Sequence, residues 1–136
     1  MELSNQKITT FLMFTGTAEE AMNHYMSIFD ESEIIHILRY GPNQGGKEGS
    51  VLHASFKLKG QVFMCIDNNN GDDHPFTPAM SLFVTCDAEE EIDQVFAKLS
   101  EGGTVLMPLA PSPFSEKFGW VADKYGVSWQ LNLPKS

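Results

Sequence analysis

Four histidines, two cysteines and two acid-rich stretches are the side chains of this 136-residue sequence whose types could do chemistry. His24, His36, His53 and His74 lack the short spacing with which neighbouring imidazoles often share a metal ion. His24 adjoins Tyr25 in a helical stretch and is expected at the surface. His36 falls in a strand and His74 in a loop before Pro75, neither with a local partner. His53 stands apart, because strand alternation turns it away from the apolar face of its run. An imidazole there could pass a proton as general acid or base, or hydrogen-bond within a cavity wall. The stretch Asp67 to Asp73 invites a calcium reading. An EF-hand loop counted from Asp67 needs glycine sixth and glutamate twelfth; Asp72 and Pro78 stand there, so a turn is expected instead. The acids Asp87, Glu89, Glu90, Glu91 and Asp93 read as a helix start with a solvated face. Cys65 and Cys86 sit in apolar runs and are expected to be reduced core or cavity residues.

Acids number 18 against 9 basic residues, for a net charge of −9. That balance argues against nucleic acid, where cations must replace the counterions of the phosphates, and disfavours an anionic membrane surface. Arg39 is the single arginine, so a guanidinium fork for a phosphate or phosphonate is nearly missing. No apolar run reaches the roughly 18 residues of a membrane span. Met1 to Thr10 lacks the basic end and apolar stretch of a signal peptide. A single cytoplasmic domain is expected, with neither nucleic acid nor membrane as partner.

The elements that must position these residues come as a repeat. Ile8 to Phe14 is β-rich and precedes Thr17-Ala18-Glu19-Glu20; about 70 residues on, Met80 to Cys86 precedes Asp87-Ala88-Glu89-Glu90. Thr17 and Asp87 each stand three residues before a glutamate, the arrangement that caps a helix start. Ala18, Ala21, Met22, Tyr25, Ile28 and Phe29 form one helical stripe; Ala88, Ile92, Val95, Phe96 and Leu99 form another, stopped by Gly102 and Gly103. Three strand candidates follow each helix: Glu33–Tyr40, Ser50–Leu58 and Gln61–Asp67, then Thr104–Leu109, Phe118–Asp123 and Val127–Leu133. The chain reads β-α-β-β-β twice: module one at about 7–67, a connector at 68–79 and module two at about 80–134. Gly41–Gly49 and the proline-rich Pro108–Pro113 interrupt the pattern and could close over a cavity.

Alternation sorts the strands into faces. Trp129, Leu131 and Leu133 are expected toward the helices, leaving Ser128, Gln130 and Asn132 opposite. Likewise Leu82, Val84 and Cys86 pack, opposing Ser81, Phe83 and Thr85. Leu52, Ala54, Phe56 and Leu58 pack, opposing Val51, His53, Ser55 and Lys57; Phe63, Cys65 and Asp67 join this second set. The first strand, apolar on both sides, cannot be sorted. The second set mixes rings, hydroxyls, amides and one histidine, which reads as the wall of a ligand cavity; a subunit contact or water is the alternative.

Four stretches resemble a known family. They are Ala18-Glu19-Glu20-Ala21 with Tyr25 and Phe29; Leu52-His53-Ala54-Ser55-Phe56; Gly102-Gly103 through Met107-Pro108-Leu109; and Phe118-Gly119 through Asp123-Lys124-Tyr125-Gly126-Val127-Ser128-Trp129-Gln130. On these the chain resembles the PhnB-like proteins, also catalogued as 3-demethylubiquinone-9 3-methyltransferase-like, of the vicinal oxygen chelate superfamily of glyoxalases, bleomycin-resistance proteins and dioxygenases. The resemblance implies a glyoxalase-like α+β fold, two βαβββ modules forming a curved mixed sheet around a cavity, commonly as a homodimer. In the superfamily's metal enzymes the ligands come from the first strand of each module and the last strand of the second, positions that fall on Thr10, Ser81 and Gln130. Hydroxyls and a carboxamide bind transition ions weakly, so no metal or other cofactor is expected. The family's Phe-Trp pair reads Pro113-Phe114 here. The strand-to-helix turns lack the glycine cluster of a common S-adenosylmethionine site, which argues against methyl transfer. The expected function is binding of a small molecule by Thr10, Ser81, Phe83, Phe114, Trp120 and Gln130, with His53 as polar contact. The alternative is a lyase, isomerase or dioxygenase with a rearranged metal site, or with His53 as acid/base.

Overall fold

The computed structural model describes residues 6–69 and 74–136; of the turn expected at Asp67–Asp73, residues 70–73 lie outside them and Asp67 ends a strand. The chain divides into two compact units, Met1–His74 and Pro75–Ser136. In the first, β1 (Thr10–Phe14), α1 (Ala18–Ile28), β2 (Glu33–Arg39), β3 (Val51–Leu58) and β4 (Gln61–Asp67) build a sheet of order β1-β4-β3-β2. The second repeats the plan with β5 (Ser81–Thr85), α2 (Glu89–Ser100), β6 (Thr104–Ser112), β7 (Ser115–Ala122) and β8 (Ser128–Pro134), in the order β5-β8-β7-β6. The strand before each helix lies parallel to the last strand of its unit, and the other pairs are antiparallel. The repeat explains this: the helix carries the chain across the sheet, and two hairpins bring it back beside its start. No helix among the described residues is long and apolar enough to cross a membrane.

Each helix buries most of the stripe its sequence predicts, but Ile28 and Phe96 are half-buried and Ala88, which precedes α2, is exposed. Ala18, Ala21, Met22 and Tyr25 are fully buried above Ala54, Phe56 and Cys65, and the Phe56 and Phe63 rings stack at 5.6 Å. Ile92, Val95 and Leu99 lie over Val121, Trp129 and Leu131. Burying each such large side chain contributes about 1.5–3 kcal/mol. Gly119 leaves room for the second helix, since a Cβ there would lie 2.6 Å from the Phe96 ring.

Several local expectations are corrected. Thr17 makes no side-chain cap; instead the Ala18 N–H donates to Asp67 Oδ1 at 2.9 Å, so the cap arrives from β4. Ala88, not Asp87, is the N-cap of α2, and Glu91 reaches back to accept the Asp87 N–H at 2.8 Å. Gly102 ends α2 with φ +73, whereas Gly103 serves a different need: a Cβ there would overlap the Ala122 carbonyl oxygen. The stretch Pro108–Pro113 is largely strand, because β6 is a sheet edge, where proline's missing N–H costs no ladder bond.

The largest corrections concern faces. Phe63, Cys65 and Asp67 lie in register with Phe56, Ala54 and Phe14, toward α1 and away from His53. Thr10 pairs with Phe63 and so shares that helix side, leaving Phe11 and Met13 on the other. At the start of β3 a bulge opposite Leu38 and Arg39 reverses the expected phase, burying Val51 and exposing Leu52. Burial, helped by the Asp67 charge, pushes the Cys65 thiol up to about 12. The neutral thiol therefore adds stability below the ordinary thiol range, and this is lost as pH rises through that range toward 12. Cys65 and Cys86 are both buried. Native protein is expected to resist thiol labelling at pH 8 at both positions until denatured; fast labelling would contradict the burial.

Candidate functional site

On the second unit the alternation of β8 buries Trp129, Leu131 and Leu133 under the helix and turns Ser128, Gln130 and Asn132 the other way. Register then assembles a face. Ser81 meets Ser128, Phe83 meets Gln130, and across the next ladder Trp120 and Phe118 meet Gln130 and Asn132. Ser81 and Ser128 hydroxyls lie 2.7 Å apart; the Trp120 indole N–H donates to Ser128 Oγ at 2.8 Å, and Gln130 Nε2 donates to Ser81 Oγ at 3.3 Å. Either hydroxyl can donate to the other, which leaves one hydroxyl proton of the pair for a ligand. Gln130 Oε1 accepts no hydrogen bond among the described residues and is available as an acceptor.

Beside this network lies an open depression of about 420 Å³ lined by Phe83, Ser112, Phe114, Ser115, Phe118 and Asn132. The Phe83 and Phe118 ring centres are 6.5 Å apart, and Ser115 Oγ donates to Asn132 Oδ1. Phe114, at the β6–β7 turn, is 89% exposed, and Phe83 is 59% exposed. No charged side chain lines the depression.

The structure thus brings together Ser81, Phe83, Trp120 and Gln130, with Phe114 at the rim of the adjoining depression. It also supplies Ser128, Phe118, Ser115 and Asn132, which were not singled out as site residues. The indole of Trp120 was the signal for Ser128: a half-buried indole N–H needs an acceptor. Thr10 belongs to the first unit, on the helix side of its sheet. His53, half-buried, does occupy the open face of that sheet, with the His36 ring centre 5.5 Å away and that of Phe11 at 6.4 Å. His36 therefore has a partner that chain spacing alone did not show. His24, expected at the surface, is half-buried beside Tyr25.

Arg39 forks onto Glu19 with contacts of 2.6 and 3.1 Å, and its hydrogen bonding lowers the Glu19 carboxyl below its ordinary value. The single guanidinium is thereby engaged. No three His, Cys, Asp or Glu side chains converge on a metal-sized point among the described residues. Thr10 and Ser81 carry hydroxyls and Gln130 an amide, neutral donors that bind transition ions weakly next to imidazole or carboxylate.

Two mixed four-stranded sheets, each with one helix, define a glyoxalase-like α+β protein. A glyoxylase/bleomycin resistance protein/dioxygenase domain from Frankia sp. EAN1pec shares this fold, with TM-score 0.68 at 14% identity over 98% of this chain and 95% of that one. The family model described as 3-demethylubiquinone-9 3-methyltransferase matches residues 6–132, and the chain belongs to that family. A solved Bacillus cereus PhnB protein, described with the same methyltransferase name, is 66% identical with TM-score 0.91, covering 94% of this chain and 99% of its own. The protein YjdN of Escherichia coli K12 is 21% identical over 94% of this chain and 95% of its own length.

Proposed function

We propose that this chain binds an uncharged small molecule, partly aromatic and carrying a hydroxyl or carbonyl, on the open face of its second unit. The observation that carries this is the Trp120–Ser128–Ser81–Gln130 network beside a phenylalanine-lined depression without charge. Apolar wall supplies the binding energy, and the few fixed polar groups orient the ligand. On this reading the protein is a cytoplasmic homodimer, uses no metal at Thr10, Ser81 and Gln130, and transfers no methyl group. Its strand-to-helix turns carry one glycine, Gly16, in the first unit and none in the second.

Trp120 lies within the network, so indole fluorescence is a direct reporter. In a fluorescence and thermal-shift screen, Gln130→Leu is expected to weaken binding about tenfold, the worth of one oriented hydrogen bond at about 1.4 kcal/mol. If no compound prefers the wild type over this variant, the reading fails. A sedimentation result showing only monomer at micromolar concentration would remove the dimer from it.

The close approach of the His36 and His53 rings favours one second reading, an acid/base reaction at His53 on a small oxygenated substrate. Its requirement is turnover that collapses in His53→Ala while the fold is kept.

A further inference from the structure

We infer that His36 and His53 form a two-point site for a divalent transition ion on the open face of the first unit. The two lie on neighbouring strands, where Leu38 pairs with His53 and His36 with Ser55, so their side chains are diagonal neighbours on one face. A bulge between Ile34 and His36 makes this possible. Ile34 pairs with Phe56 toward the helix, and the extra residue Ile35 brings His36 opposite Ser55. Bulges re-aim side chains in this way, and without it Ile35 would hold the position beside His53.

The separation fits one shared ion. With metal–nitrogen bonds of about 2.0–2.1 Å, two imidazoles on a tetrahedral ion place their ring centres about 5 Å apart; here the distance is 5.5 Å with the planes at 47°. Both rings are half-buried, and no hydrogen bond among the described residues engages their nitrogens. The Phe11 ring, 6.4 Å from that of His53, walls one side. With no acid or thiol in the cluster, the donor set is two neutral nitrogens. That set favours Cu²⁺ over Ni²⁺ and Zn²⁺ and leaves Ca²⁺ and Mg²⁺ unbound. The remaining positions stay open to water, the Ser55 hydroxyl or an oxygen of a small molecule. The net charge of −9 adds a general attraction for cations. This site stands whether or not the second unit's face takes a ligand.

Untagged, chelator-stripped protein titrated calorimetrically with CuCl2 and with ZnCl2 tests it. One equivalent is expected to bind, with Cu²⁺ tighter. Each of His36→Gln and His53→Gln should weaken binding about tenfold or more, while the exposed control His74→Gln leaves it unchanged. The Cu²⁺ electron paramagnetic resonance spectrum should show coupling to imidazole nitrogen in wild type that is lost in the double variant. Equal affinity in wild type and His53→Gln, loss on His74→Gln, or no binding up to millimolar ion overturns the site. If a variant unfolds, the wild-type spectrum decides: a signal without imidazole nitrogen rejects it.

Discussion

Asp123→Ala is expected to lower stability by about 4.5 kcal/mol or more, since hydrogen bonds to a buried charge contribute about 1.5–3 kcal/mol each and at least three are lost. The Asp123 carboxylate is nearly fully buried at the β7–β8 turn. Its Oδ1 accepts the Tyr125 and Val127 N–H groups at 2.8 and 3.1 Å, and its Oδ2 accepts the Trp129 indole N–H at 2.9 Å. It thus ties the turn to the largest buried side chain of the following strand. In a domain of this length the melting temperature should fall by roughly 10–15 °C. Asp123→Asn should cost less, because the amide oxygen still serves the turn while its nitrogen meets the indole N–H donor to donor. Trp129→Phe removes that second donor, so a double-mutant cycle should show Asp123→Asn costing less in the Trp129→Phe background than alone. A shift below about 1 kcal/mol for Asp123→Ala, well under one charged hydrogen bond, would show that the carboxylate is not the clamp. The clamp matters for function because it starts β8 in the phase that turns Ser128 and Gln130 outward. The alanine variant should therefore also lose ligand response at Trp120.

Asp67→Ala should be next in size, at about 3–4 kcal/mol by the same reckoning. Asp67 Oδ1 accepts the Ala18 N–H at the start of α1, and Oδ2 accepts the Val51 N–H at 2.8 Å at the start of β3. Ala18 and Val51 are fully buried, so without the carboxylate neither N–H reaches water. One residue thereby joins the end of β4 to the beginnings of two other elements. Asp67→Asn supplies one oxygen where two are used and should lose a substantial part of the alanine effect. Urea unfolding of the three proteins measures this. An Asp67→Asn protein as stable as wild type would mean that one of the two bonds contributes nothing.

The last family-like stretch, from Phe118 to Gln130, now has a physical account. Gly119 admits Phe96, Trp120 supplies an indole to Ser128, Asp123 clamps the turn and Trp129 fills the core. The alternation of β8 is a period-2 relation, which is why the face of Gln130 was legible, whereas Gly119 meets Phe96 from 23 positions away. His36 was not legible, because its partner sits 17 positions away across a bulged ladder.

By itself the sequence determined the doubled β-α-β-β-β order, the two helical stripes and the inward face of β8. Each is a local relation, set by a 3.6- or 2-residue period and by glycines at element ends. Tertiary structure alone decided the faces of β1 and β4. Val62, Met64 and Ile66 alternate there with Phe63 and Cys65, so hydrophobicity offers no asymmetry to sort them. Register with β3, and the reach of Asp67 to the Ala18 N–H, chose the side. The same physics displaced Thr10 from the open face and delivered His36 to His53: a strand's side chains turn over with a one-residue slip, and only its neighbours say where it slips.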